Sequence, residues 1–258
     1  MPEASVTTKS HKIEAGFDAN LDFPLDNASW AAFSTATHCA ITSYTDLDVL
    51  TSALRQRLFD FSYLPSSNCF FLRDVPYRGI VSALTPITHQ PSQSSVFVVA
   101  KDNPATSWRD LRGKRLGYIN TYCTTSYFSP SVLVGREGFA LKDFFDAFPV
   151  TAWQGQIDAV LAGSIDATMV YEDVWLARPE NAQQTKILAR LDDLPTPPFI
   201  VRADMDANLE SQLKQVLLGL PAQAAPGALY AGFADYQDAR MQRWFADLAA
   251  LPGLAHAA

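Results

Sequence analysis

Short apolar runs alternate along the chain with stretches in which apolar residues recur every three to four positions, so strands and helices succeed one another from the start. Ile13 to Phe17 predicts a first strand, followed by a polar, proline-containing loop from Asp18 to Asn27. Cys39 to Tyr44 predicts a second strand. Thr45-Asp46-Leu47-Asp48 reads as a capping box with Asp in place of Glu, and Leu47, Leu50, Leu54 and Leu58 follow at helical spacing. That predicts an amphipathic helix lying on a sheet. Phe59 to Leu64 returns as a strand and stops at a polar loop, Pro65-Ser66-Ser67-Asn68. Strand, helix, strand at these separations predicts a parallel α/β sheet.

The pattern then repeats. Ile80 to Thr85 is a further strand, His89 to Ser94 a polar linker, and Ser95 to Ala100 an almost unbroken apolar run. Ser107 to Lys114 carries a cap-like Ser, one helical turn and a Gly stop, and Arg115 to Ile119 follows as a strand. Next comes the hydroxyl-rich Asn120 to Ser126, ahead of a helix from about Ser129 to Arg136. A helix from Gln154 to Ala162, a strand from Ala167 to Val170 and strands near Ile187 and Phe199 complete this half. Asp206 to Leu218 predicts a helix with a buried stripe of Leu209, Leu213, Val216 and Leu217 and Gly219 as its stop. A last amphipathic helix carries Tyr236, Trp244, Phe245, Leu248 and Leu251. The linker at His89 to Ser94 and the proline-rich Leu194 to Pro198, each beside an apolar strand, predict two lobes joined by two crossings. The first would take about residues 1–94 plus 198–258, the second about 95–197.

Composition narrows what such a chain can do. With 258 residues, 48% of them hydrophobic and 18% charged, it buries a real core. Its formal charge of −7 and the lack of a Lys/Arg block argue against nucleic acid as a partner. Three cysteines in dissimilar contexts and four scattered histidines offer neither a disulfide framework nor metal-ligand spacing, and no cofactor is expected. No apolar run is long enough to span a bilayer. The first ten residues lack a basic start with an apolar run, which leaves both the periplasm and the cytoplasm open.

Four segments, in order, resemble the phosphonate/phosphite-type substrate-binding proteins of ABC importers. They are Asp46 to Leu64; Ser95 to Ala100 with Asp102 and Trp108 to Lys114; Cys123 to Pro130; and Ala159 to Ala167. The resemblance implies the two-lobed type II periplasmic-binding-protein fold, a small anionic ligand in the cleft, a periplasmic location, an ABC permease as partner and a monomer that performs no catalysis. It corresponds in the third segment to an anion loop, here Cys123, Thr124, Thr125 and Ser126. That loop makes chemical sense alone: hydroxyls and backbone N–H groups at a helix start hold an anion without a Lys or Arg, although the same residues can simply cap the helix.

Closure of two lobes would set Ser66, Ser67 and Asn68 opposite Thr124 and Thr125. At family positions that read an aminoalkyl tail this chain has Leu47, Gln93, Trp153 and Pro197, and only Asp173 keeps an acidic group. A phosphonate, phosphite, phosphate-like or organic anion is then expected rather than an aminoalkylphosphonate. Trp153, Tyr122, Tyr127 and Tyr171 could line an aromatic pocket or pack as ordinary core. Glu172 and Asp173, being adjacent, should diverge and form a solvated helix start rather than an acid/base pair. Cys123, with no His near it in sequence, reads as a replacement for the family's Ser rather than a nucleophile. The alternative from another class is a cytoplasmic enzyme reusing this fold, chorismate-dehydratase-like or thiamine-pyrimidine-synthase-like; a third is a sensory receptor domain.

Overall fold

The computed structural model describes residues 13–21, 35, 39–150, 153–220 and 229–254. The loop expected from Asp18 to Asn27 is described only to Leu21, through one 3-10 turn at Ala19–Leu21, and the rest lies outside the described residues.

Among the described residues the strands are β1 (Ile13–Asp18), β2 (Cys39–Tyr44), β3 (Phe61–Tyr63), β4 (Tyr77–Ala83), β5 (Ser92–Ala100), β6 (Arg115–Tyr118), β7 (Asp146–Pro149), β8 (Ala167–Tyr171), β9 (Thr185–Pro195), β10 (Pro198–Arg202) and β11 (Phe233–Asp235). They form two sheets, ordered β11-β4-β10-β3-β1-β2 and β7-β6-β8-β5-β9. The chain passes from the first sheet to the second between Ala83 and Ser92 and returns between Pro195 and Pro198.

The expected parallel pairing holds for β1 with β2 and β3, and for β6 with β7 and β8. It fails for β10, antiparallel to β3 and β4, and for β5, antiparallel to β8 and β9. The reason is directional. β1, β3 and β6 run toward the boundary between the sheets, whereas β5 and β10 each start there, straight from a crossing, and must run the other way. The crossings are also less loop-like than their composition suggested: Ser92 and Gln93 already pair with Pro195 and Leu194.

Local signals explain most element ends. The helix Leu47–Arg55 is capped by Asp46, which accepts from the N–H groups of Asp48 and Val49, so the cap sits one residue beyond the expected Thr45. It stops before Leu58, because Arg57 takes a left-handed conformation (φ 58°) that turns the chain back toward β3; Leu58 is 59% exposed and outside the buried stripe. Pro65-Ser66-Ser67-Asn68, expected as a loop, instead starts a short helix, Ser66–Phe70, all of whose residues are buried. Ser107 and Asp110 do form a capping box, and Gly113 takes the positive φ (74°) of a stop. In the helix Ala207–Leu218 the fully buried positions are Leu213 and Leu217, while Leu209 and Val216 are half-buried. The last helix is Asp238–Ala249; Tyr236 and Leu251 flank it, and Met241 joins Trp244 and Leu248 in the buried face.

Under the first sheet, Phe61 and Tyr63 stack on Phe199, with ring centroids 4.9 and 4.5 Å apart, and Leu213 and Leu217 pack into the same cluster. A second cluster joins Leu50, Leu54 and Phe59 with Phe97, Leu116 and Met169 of the other sheet, through Trp244 and Leu248 of the last helix. That helix touches both sides: Trp244 Nε1 donates to Ser67 Oγ at 3.2 Å, while Arg240 and Arg243 both pair with Asp193 of β9 at 2.6 Å.

Gly16 lets the first helix lie close on β1. A Cβ there would stand 2.6 Å from the Phe59 ring and 2.9 Å from Leu50 Cδ1. Gly16→Ala should therefore cost about 1–3 kcal/mol by overpacking, read as a lower denaturant midpoint at unchanged slope; an unchanged midpoint would show that the helix shifts freely.

Candidate ligand-binding cleft

The ends of β1 and β3, the starts of β5 and β10, and the segment after β6 converge on a cavity of ≈ 20 Å³, about enough for one water molecule. Its wall is formed by Asp18, Leu21 and Pro65 from the first sheet's side, Gln93 and Pro197 at the crossings, Tyr230 ahead of β11, and Asn120, Cys123, Thr124 and Thr125 from the hydroxyl-rich segment. Placement at the carboxyl ends of parallel strands, where two sheets meet, is where open α/β folds bind ligands.

The hydroxyl-rich segment is built from its own side chains. Asn120 Oδ1 accepts from Tyr122 N at 2.9 Å, closing a turn that delivers Cys123. Cys123 then caps a turn of π-helix, Thr124–Phe128: its Sγ accepts from Ser126 N at 3.3 Å, and its carbonyl takes the N–H groups of Tyr127 and Phe128. The helix Ser129–Gly135 follows directly. Ser129 Oγ donates to the Thr124 carbonyl and Ser95 Oγ to the Thr125 carbonyl, at 2.8 and 2.9 Å. Thr124 and Thr125 are the first two residues of the turn, so their N–H groups have no partner within it. Hydroxyls, unspent N–H groups and the positive end of the turn's dipole coincide there.

Of the residues singled out in the sequence, Gln93, Cys123, Thr124, Thr125 and Pro197 line the cavity. The remaining serines are buried but engaged elsewhere. Ser66 Oγ donates to the Pro195 carbonyl at 2.8 Å, and Ser126 Oγ accepts from Ile119 N at 3.0 Å. Asn68 Nδ2 donates to Thr51 Oγ1 at 2.7 Å, while its Oδ1 is buried without a hydrogen-bond partner. Ser67 does meet the other side, its Oγ lying 2.9 Å from Thr124 Oγ1. Gln93 spans the cleft floor, donating to the Pro195 carbonyl at 2.7 Å and accepting from Tyr230 OH at 3.0 Å.

The aromatic residues are redistributed. Tyr122 packs on Phe71 and its hydroxyl bonds Asp48 at the exposed rim; Tyr127 packs on Tyr118 beside a separate surface groove. Tyr171 lies behind Tyr230, stacked at 5.8 Å, and it is Tyr230 that reaches the cavity. Trp153 begins the helix Trp153–Leu161, and its side chain lies outside the described residues. Leu47 is buried in the apolar cluster away from the cavity, whereas Pro197 lines it.

Glu172 and Asp173 diverge as expected, but only one is solvated. Glu172 pairs with Arg190 at the surface; Asp173 turns inward and accepts from Ile87 N at 3.0 Å. Burial holds its carboxyl above the ordinary carboxylate range, against the opposing Ile87 N–H. Burial likewise pushes the Tyr230 phenol well up, helped by Cys123 and Asp173, so Tyr230 is a neutral donor.

Sequence reasoning missed Asp18, Asn120 and Tyr230. Asp18, the last residue of β1, is 5% exposed and lines the cavity. Its only signal was its position, a carboxylate at the carboxyl end of a strand entering a parallel pair.

A family profile described as the periplasmic substrate-binding protein of phosphonate ABC transporters matches residues 33–244. The chain belongs to this family. None of the curated proteins matches it in sequence. Among solved structures, this phosphonate-type binding protein is similar to XAC2383 from Xanthomonas citri, bound to chloride ion, with a TM-score of 0.73 and 18% identity over 91% of this chain and 96% of the other. It is similar to PA3383 of Pseudomonas aeruginosa, a binding protein component of an ABC phosphonate transporter (TM-score 0.67, 15% identity, 93% and 89% covered). PhnD1 from Prochlorococcus marinus, solved in complex with methylphosphonate, gives a TM-score of 0.67 at 15% identity, with 91% and 96% covered. Together these fix the fold as the two-lobed binding-protein fold.

Two expected outcomes follow for this phosphonate-type protein. Ser67→Ala removes the acceptor of Trp244 Nε1 and the partner of Thr124 Oγ1. It should destabilise by about 1–3 kcal/mol, seen as a lower Tm; a change within error would mean that water replaces both bonds. Asp173 holds its proton to higher pH when folded than when unfolded, so its contribution is full below the unfolded carboxylate range and is lost as pH climbs through the folded value. Asp173→Asn cannot ionise, and its Tm should fall less than that of the wild type between acid and neutral pH; parallel curves would contradict this.

Proposed function

We propose that this protein is the capturing component of an ABC-type importer, a monomer that acts in the periplasm, binds one compact oxyanion and hands it unchanged to a permease. Two lobes, of about residues 1–94 with 198–258 and about 95–197, would close over the ligand. The observation that carries this is the cavity at the meeting of the two sheets, faced by Thr124 and Thr125 at the start of a helical turn. Family membership sets the class of ligand, and the methylphosphonate held by PhnD1 supports a phosphonate of that size.

The chemistry suits capture and release. Neutral donors give an anion several hydrogen bonds to charge, each worth about 1.5–3 kcal/mol, without the deep Coulombic well of a buried cation. Among the described residues no Lys, Arg or His lines the cavity. Since a methylphosphonate is far larger than ≈ 20 Å³, entry requires the two sides to part and the Ser67–Thr124 contact to open. Thr124 would then exchange a protein partner for a ligand oxygen.

The two threonines separate binding from folding. Among the described residues the Thr125 hydroxyl meets only Cys123 Sγ, at 3.5 Å, whereas that of Thr124 bonds Ser67. Thr125→Ala should weaken methylphosphonate binding by about 10- to 100-fold in calorimetry, the loss of one hydrogen bond to charge, with Tm nearly unchanged. Thr124→Ala should weaken it similarly and also lower Tm. Unchanged affinity in both variants would reduce the segment to a helix cap.

A further inference from the structure

Two amide side chains, Gln93 and Asn120, line the cleft, and each has one end pinned by a backbone group of fixed polarity. At Gln93 that group is the Pro195 carbonyl, which can only accept. Nε2 is spent there, and Oε1 takes the proton of the Tyr230 hydroxyl, so this amide has partners at both ends. At Asn120 the pinning group is the Tyr122 N–H, which can only donate. It lies 2.9 Å from Oδ1, and turning the amide over would set one donor against another. The backbone of Asn120 is held as well, because its carbonyl accepts from Cys123 N at 3.2 Å. The nitrogen end of this amide is therefore directed away from the turn it closes. Among the described residues Nδ2 has no hydrogen-bond partner, although the residue is half-buried in the cavity wall.

Resting on the oxyanion reading of the cleft, we propose that Asn120 is a further ligand-binding and specificity-determining residue, whose Nδ2 donates to an oxygen of the bound anion. The hydroxyls of Thr124 and Thr125 and the thiol of Cys123 rotate to donate or accept, so on their own they serve a neutral hydroxylated solute as well as an anion. An amide nitrogen has two N–H groups and accepts nothing, so the ligand atom that meets it must be an acceptor. The turn thus does two things at once: Oδ1 bends the chain to deliver Cys123, and the same side chain aims a donor beside it. Folding alone does not call for Asn here. An Asp at this position would close the same turn through a carboxylate oxygen, but would set its second oxygen where the donor now stands. An anionic ligand accounts for the amide, since a carboxylate there would face it with like charge across a low-dielectric gap.

The test measures methylphosphonate binding by calorimetry, and Tm, for the full chain and for Asn120→Ser, Asn120→Asp and Asn120→Ala. Ser and Asp both keep an oxygen that accepts from the Tyr122 N–H, and both lose the amide donor. Affinity should fall about tenfold or more in Asn120→Ser, the loss of one hydrogen bond to charge, and further in Asn120→Asp. The Tm of Asn120→Asp should stay near that of the wild type, while that of Asn120→Ala falls because its turn is open. Wild-type affinity in Asn120→Ser overturns the proposal, since any loss in Asn120→Asp is then charge repulsion without a broken contact. A Tm in Asn120→Asp as low as in Asn120→Ala overturns it too, because the amide nitrogen is then engaged by the protein itself. Failure of the wild type to bind either methylphosphonate or inorganic phosphate sinks the oxyanion reading and this inference together, whereas binding that Thr125→Ala weakens and Asn120→Ser does not strikes Asn120 alone. If the variants do not fold, a structure of the wild type with methylphosphonate decides: Nδ2 within hydrogen-bond distance of a ligand oxygen supports the role, and Nδ2 left to solvent overturns it.

Discussion

One buried hydroxyl links the three parts of this molecule that must agree for a cleft to exist. Ser67 Oγ lies 2.9 Å from Thr124 Oγ1 of the hydroxyl-rich turn and accepts from Trp244 Nε1 of the last helix at 3.2 Å. Ser67 itself belongs to the short helix that follows β3, so the first sheet, the second sheet and the closing helix meet at a single oxygen. The bonds do not supply most of the cohesion there. A hydrogen bond contributes a net 0.5–1.5 kcal/mol or so, whereas each large apolar side chain in the surrounding cluster contributes about 1.5–3 kcal/mol on burial. Leu50, Phe97, Met169, Trp244 and Leu248 hold the parts together, and Ser67 sets the position at which they meet. A slide of either side would leave buried polar groups without partners, a cost that apolar contacts do not impose.

That division of labour shapes the electrostatics of the site. The chain carries a formal charge of −7, and the cavity wall includes Asp18 and no described basic residue. Net charge therefore does not favour gathering an anion from a distance, and exposed charges farther than about 8–10 Å away are screened in any case. Discrimination must come from short-range donors of fixed direction. Thr124 and Thr125 owe that direction to Ser129 and Ser95, which occupy the carbonyls of the same two residues and keep the turn from relaxing. Serines outside the cavity thus position the threonines inside it.

The same point explains what was legible in the sequence. A run of hydroxyl residues between a strand and a helix marked the turn correctly, because few structures other than a cap or an anion site call for it. Within the run the sequence could not rank the hydroxyls. Ser126 and Ser66 resemble Thr125 in chemistry, yet one holds the turn to the end of β6 and the other holds the crossing at Pro195. Strand positions followed from apolar runs, but strand direction did not, since it depends on which end of each strand faces the other sheet. Asp18 and Tyr230 stayed hidden for a related reason: they come from segments far apart in sequence that only the sheet order brings to one cavity. Tyr171, an expected lining residue, proved to be the support on which Tyr230 stacks.

The crossings determine how such a cleft can open. The Pro195 carbonyl accepts from both Ser66 Oγ and Gln93 Nε2, Thr196 Oγ1 donates to the Ala83 carbonyl at 2.6 Å, and the Pro197 carbonyl accepts from Ala83 N at 2.9 Å. Prolines at 195, 197 and 198 fix φ and remove N–H donors, so this segment is stiff and its carbonyls serve both sides. A joint bonded in this way resists stretching, so any parting of the two sides would have to take the form of rotation about it. Rotation displaces distant points most. At the surface the two sides also share the Asp48 contact with Tyr122, an exposed polar pair of the kind that contributes little and breaks readily. The Ser67–Thr124 contact, by contrast, is buried, so parting it without a replacement partner would leave two desolvated hydroxyls unpaired, a cost that the surface pair does not carry.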